Sequence, residues 1–118
     1  MKDFRELRVY KEAIECFKEL LLDLKNIPED NVTRVIINQV IRSVSSISAN
    51  IAEGYGRSAG KEYRYFLYVA RGSTSESIDW YEKMRILKYL DIDRYNSQIK
   101  RLEYIRAMLT KMINRIKI

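Results

Sequence analysis

Four stretches of the chain repeat one pattern, an apolar residue at alternating steps of three and four. The first runs through Leu7, Tyr10, Ile14, Phe17, Leu21 and Leu24. The second uses Ile37, Val40, Val44, Ile47 and Ile51. The third follows Tyr63, Phe66, Ala70, Ser73, Ser77, Trp80, Met84 and Leu87. The fourth follows Leu102, Ile105, Leu109, Met112 and Ile116. Steps of this kind keep a stripe on one side of an α-helix. Sustained over several turns, they mark helices packed at shallow angles.

The breaks between the stripes are short. Asn26-Ile27-Pro28-Glu29-Asp30 separates the first two helices. Pro28 is expected to end helix one, and the acidic pair suits the start of helix two. Gly54 to Gly60 makes the second connection. Leu90-Asp91-Ile92-Asp93 makes the third, where Asp91 or Asp93 serves as a cap for helix four. Helices two to four come out at about 23 to 28 residues, on the order of 35 to 40 Å. Similar lengths and short loops predict an all-α protein, an antiparallel up-and-down four-helix bundle occupying residues 1–118 as one domain.

Folding helices two and three back on each other predicts their partners. Tyr65 and Tyr68 are expected near Ala49 and Ser46. Gly72, Ser73 and Ser77 are expected near Arg42, Ile41 and Ile37, so that bulky residues meet small ones in the closest-packed pair of the bundle. The stretch YRYFLYVA, residues 63–70, is apolar or aromatic nearly all round. A bundle helix in a monomer shows a polar outer face. Tyr63, Tyr65 and Tyr68 are therefore the expected contact between copies in a homo-oligomer, or the docking surface of a protein partner.

Composition narrows the class. With 118 residues, 47% hydrophobic and 32% charged, and with one Pro and four Gly, the chain suits a helical protein with a single core. A chain of this mass buries roughly two thirds of its unfolded surface. The lone Cys16 allows no intramolecular disulfide and fits a reducing, cytoplasmic setting. The longest apolar run, Phe66 to Ala70, is far too short for a membrane span.

The net charge of +6 is unevenly placed. Residues 1–93 hold fifteen basic and fifteen acidic side chains. From Arg94 onward Arg94, Lys100, Arg101, Arg106, Lys111, Arg115 and Lys117 face only Glu103. Arg94, Lys100, Arg101, Tyr104, Lys111, Arg115 and Lys117 are the candidate nucleic-acid contacts, cations for phosphates with an aromatic ring for a base. A solvated face, its cations matched to the helix dipole, explains the same residues.

Candidate chemistry is otherwise sparse. The chain has no histidine, which removes the commonest general base and imidazole metal ligand. No CxxC or HExxH spacing occurs, and Cys16 is expected as a small, partly buried hydrophobe. Glu53, Glu62 and Glu76 lack the Glu-x-x-His partners of a di-metal bundle. No metal, cofactor or enzymatic activity is expected. Gly54-Tyr55-Gly56 follows a helix rather than a strand, unlike a phosphate-binding loop. Gly54, just past Ile51, is expected to stop helix two in a left-handed conformation. Asn50, Glu53 and Arg57 are expected to tie the turn, with Glu53 facing Lys61 and Asn50 facing Arg64.

The block IRSVSSISANIAEGYGR followed by KEYRYFLYVARGSTSE resembles the small bacterial 23S ribosomal RNA intervening-sequence proteins. The matching positions are Ile41, Arg42, Ser46, Ile47, Asn50, Ile51, Ala52, Glu53, Gly54, Gly56, Arg57, Phe66, Leu67, Ala70, Gly72, Ser73 and Glu76. The opening FRELRVYKEA also fits. Ser43 departs from the usual Arg and Ser48 from the usual Pro, which removes the basis for a kink late in helix two. Ser77-Ile78-Asp79 departs from the family's Leu-Glu. The resemblance implies the bundle fold and a ring-like homo-oligomer, a pentamer. It also extends to the accessory proteins of diversity-generating retroelements, which bind nucleic acid and a reverse transcriptase. The resulting expectation is a non-enzymatic oligomer that binds RNA or DNA through its basic helix. The alternative is a scaffold that binds a protein partner, or a structural protein that assembles only with itself, without nucleic-acid binding.

Overall fold

A computed structural model describes residues 3–57 and 59–117; Ser58 of the second connection lies outside the described residues. A single 3-10 turn, Phe4–Glu6, leads into α1 (Arg8–Asp23), α2 (Asn31–Tyr55), α3 (Gly60–Ile86) and α4 (Ile92–Arg115). Each helix packs against its sequence neighbour, and α1 closes the ring against α4. The expected up-and-down four-helix bundle is therefore the observed one. Its long axis extends 46 Å.

The helix starts follow from local chemistry. Asp30 accepts from the Thr33 N–H at 2.8 Å and caps α2. Asp91, rather than Asp93, caps α4 by accepting from the Arg94 N–H at 2.8 Å. Each supplies an acceptor to an orphan amide of the first turn. Helix α1 ends at Asp23, before Pro28 can act on it. Helix α3 closes with Tyr89 N–H donating to the Met84 carbonyl and Lys88 N–H to that of Arg85, both at 3.0 Å. This pair of bonds needs a left-handed residue, and Lys88 supplies it at φ 60°. A lysine there costs about 1–2 kcal/mol that glycine would not.

The buried stripes are rotated from the expected ones in two helices. In α1 the core residues are Val9, Ala13, Cys16 and Leu20, whereas Leu21 is exposed. In α3 they are Leu67, Ala70, Thr74, Ser77, Tyr81 and Met84. Tyr63 and Trp80 pack at the margin, and Leu87 is exposed. Ala70, Ser77 and Met84 of the expected α3 stripe are buried, and Leu67, Thr74 and Tyr81 join them from outside it. Ala13 and Cys16 of α1 and Thr74 of α3 hold inward positions that the apolar pattern overlooks. In α2 and α4 the expected Val40, Val44, Ile47, Ile51, Leu102, Ile105 and Leu109 are all buried.

Helices α2 and α3 form the most extensive interface, as expected, but in a different register. Ser46 meets Ser73 with hydroxyls 2.9 Å apart, and Ser43 meets Ser77 at 2.9 Å. Arg42 pairs with Glu76. The partners lie a turn or more beyond those expected, and small residues meet small ones. Paired hydroxyls satisfy each other where the two backbones come close.

Gly54 sets that register. It lies inside α2 and is buried. A Cβ built on it would sit 2.8 Å from the Phe66 Cβ and 3.1 Å from Tyr63 Cδ1. Neither Gly54 nor Gly56 has positive φ; Gly56 follows α2 at φ −75°. The expected left-handed stop is thus overturned. Gly54 is small because α3 crosses directly over it, not because the chain must turn there.

A polar chain runs through the opposite half of the core. Gln98 donates through Nε2 to the Cys16 carbonyl at 3.1 Å and to Tyr81 Oη at 2.7 Å. Tyr81 donates to Asp23 Oδ2 at 2.7 Å, and Arg94 Nε donates to Asp23 Oδ1 at 2.7 Å. The chain joins α1, α3 and α4. Gln98 Oε1 has no hydrogen-bond partner among the described residues. Burial pushes the Tyr81 hydroxyl well above its ordinary value, with the Asp23 charge adding to the effect. Burial also pushes the Cys16 thiol up to about 12, so at neutral pH it remains a buried thiol rather than a nucleophile.

Candidate nucleic-acid interface

Helix α4 sorts its residues by angle. Gln98, Leu102, Ile105, Leu109 and Ile113 face the core. At 100° per residue, Lys100, Tyr104, Lys111 and Arg115 fall on the opposite side, and all four are exposed. None of the three cations is in an ion pair among the described residues. Arg8 of α1 reaches the Tyr104 ring, its guanidinium carbon 5.9 Å from the centroid. Lys117 follows the helix and is exposed.

Two of the expected contacts turn inward. Arg94 is held by Asp23 at 2.7 Å and Glu19 at 3.0 Å. Its hydrogen bond to Asp23 raises its already high proton affinity further. Arg101 bonds Glu12 at 3.0 Å. Both cations are matched to α1 carboxylates, so the outward group is Lys100, Tyr104, Lys111, Arg115 and Lys117. The turn cluster is also changed. Glu53 and Arg57 pair at 2.9 Å as expected, and Arg57 lies over the Phe66 ring at 5.1 Å. Asn50 instead donates to the Ser46 carbonyl at 2.8 Å and hydroxyl at 2.9 Å.

Between α3 and α4 lies an open groove of about 600 Å³ that helical spacing alone does not reveal. Arg71, Gly72 and Ser75 line it from α3; Glu103, Arg106, Ala107, Thr110 and Lys111 line it from α4. Arg71 donates to the Thr110 hydroxyl at 3.3 Å, and Arg106 to the Ser75 hydroxyl at 3.2 Å. Arg106 belongs to the basic run of the C-terminal segment. Arg71 carries no signal in the sequence beyond its place beside Gly72.

The aromatic residues of α3 divide. Tyr63 is half-buried, against Gly54 and edge-on to Tyr55 with ring centroids 6.1 Å apart. Burial raises its hydroxyl's proton affinity. Tyr65 is 61% exposed and Tyr68 is 45% exposed. Arg71 lies over the Tyr68 ring at 5.0 Å. Glu76 joins Arg42 to the Trp80 indole, which donates to it at 3.0 Å.

Charge is also sorted along the axis. Ser43 of α2, Ser77 of α3, Tyr104 of α4 and the start of α1 at Arg8 and Val9 mark one level across the bundle. On the side that holds the 57–59 connection, the described residues beyond that level include nine basic and five acidic side chains, with Arg8 on the level itself. On the other side they include eleven of each. No group of three or more Cys, Asp or Glu among the described residues is placed to hold a metal ion. Among the described residues, no helix is long and apolar enough to cross a membrane.

Residues 5–111 match the family model described as 23S rRNA-intervening sequence protein. A solved structure of a protein with unknown function from the S23 ribosomal protein family of Bacteroides thetaiotaomicron has the same fold, with a TM-score of 0.79. It is 24% identical, over 89% of this chain and 97% of that one. No curated protein matches the chain.

Proposed function

This chain belongs to the 23S rRNA-intervening sequence protein family, and on that premise we propose that it is a non-enzymatic, self-associating bundle that binds RNA. The carrying observation is the outward face of α4, where Lys100, Lys111 and Arg115 flank Tyr104 without carboxylate partners among the described residues. Exposed ammonium and guanidinium groups release counterions from a phosphate backbone, and an exposed phenol ring offers a stacking surface to an unpaired base. Arg94 and Arg101 do not contribute, because α1 neutralises them.

The test is fluorescence anisotropy with a short labelled single-stranded RNA over a series of salt concentrations. Wild type is expected to bind at low salt and weaken as salt rises. The triple variant Lys100→Glu, Lys111→Glu, Arg115→Glu is expected to lose on the order of a hundred-fold in affinity. Its salt slope should flatten by about two, from three contacts at roughly 0.7 each on a single strand. Its melting temperature should barely move, since the side chains are exposed. Absence of wild-type binding even at low salt rejects the reading and favours a protein-binding scaffold.

Self-association rests on Tyr65 and Tyr68, large rings left exposed on α3. Sedimentation is expected to find a species heavier than the 14.1 kDa chain, a pentamer by the family likeness. Tyr65→Glu with Tyr68→Glu should shift it toward the monomer. A wild-type monomer at all accessible concentrations would remove self-association from the proposal.

A further inference from the structure

Gly72 lies in the middle of α3, where glycine weakens a helix relative to alanine. The other glycine within a helix interior, Gly54, is explained by its neighbour. Gly72 is not: a Cβ built on it meets nothing within 4 Å, and the residue is exposed. Nothing among the described residues of the protomer uses the space its missing side chain leaves. That space opens into the groove between α3 and α4.

The groove is charged in one sense. Arg71, Arg106 and Lys111 line it against Glu103 alone. The two arginines bond to hydroxyls rather than carboxylates, so their charge is not cancelled locally. Ser75 accepts from Arg106 and keeps its own proton for a further acceptor. Guanidinium pairs with a free hydroxyl donor suit a phosphate, which offers several acceptor oxygens in one compact group.

We propose that the α3–α4 groove is a phosphodiester-binding site in which Arg71, Arg106 and Ser75 hold a backbone phosphate and Gly72 leaves room for the strand. The inference rests on the RNA-binding reading and adds a defined path to it. The outward face of α4 supplies diffuse attraction. The groove takes the strand beside the α3 backbone, closer than a side chain at position 72 would allow. Lys111 borders both surfaces, so a strand can pass from one to the other.

Gly72→Leu tests this without removing a charge. The variant is expected to fold with an equal or higher melting temperature, because its side chain enters open space and leucine favours helix. Its RNA affinity should fall about ten-fold or more while its salt slope stays at the wild-type value. Arg71→Gln with Arg106→Gln should lower both affinity and slope, the slope by about one to two. Wild-type binding left intact by Gly72→Leu overturns the groove while sparing the RNA reading. A Gly72→Leu protein that changes only its sedimentation assigns the glycine to a contact between copies and also overturns it. No binding by wild type removes both together.

Discussion

Gly54→Leu is expected to destabilise the bundle by at least about 3 kcal/mol, a large part of the roughly 5–15 kcal/mol that holds a domain together. Even the first added atom falls 2.8 Å from the Phe66 Cβ. That atom is fixed to the α3 backbone and cannot swing aside. The helices must separate, and the hydroxyl pairs Ser46–Ser73 and Ser43–Ser77 lie along the same interface. Gly54→Ala adds less volume and gains about 1 kcal/mol of helix propensity, so a net loss of about 1–2 kcal/mol is expected. Chemical denaturation measures both. An unchanged midpoint for Gly54→Leu would refute the close crossing. The same change at Gly72 is expected to be tolerated, which separates contact from propensity within one helix hairpin.

Asp23→Ala is expected to cost about 3 kcal/mol, the lower end of what breaking a buried charge pair costs. The Asp23 side chain is 2% exposed and accepts from both Tyr81 and Arg94. Alanine leaves the buried Tyr81 hydroxyl without its acceptor. Arg94 retains Glu19 and is 33% exposed, so water softens its loss. For a chain of this size the melting temperature should fall by about 10 °C or more. Tyr81→Phe leaves the Asp23–Arg94 pair standing and should cost less. A loss below about 1 kcal/mol for Asp23→Ala would show that the network contributes geometry without stability.

The number of helices, their order and the short connections were legible in the sequence because apolar spacing and breakers report on each segment separately. The phase of α1 was not. Its inward residues include Ala13 and Cys16, and a pattern weighted by large apolar groups follows Phe17 and Leu21 instead. The polar core residues Ser43, Thr74 and Gln98 carry no apolar signal at all, whereas Ser77 is reached by the helical step of the third stripe. Their burial depends on partners from other helices. The candidate interface divides in the same way. Lys100, Tyr104, Lys111 and Arg115 share a face by helical geometry, which spacing reveals. That Arg94 and Arg101 meet Asp23, Glu19 and Glu12 depends on how α1 lies against α4. Gly54 and Gly72 look alike as letters; only the placement of α3 and α4 tells them apart.

The uneven charge along the axis also governs how the molecule would meet a polyanion. At physiological ionic strength a charge is felt over about 8 Å, well short of the 46 Å length of the bundle. The balanced end therefore carries no net pull beyond that of single exposed charges such as Lys100, and the basic end is drawn more strongly. Once the strand is within that range, the protein would present its 57–59 end to it more often than the other.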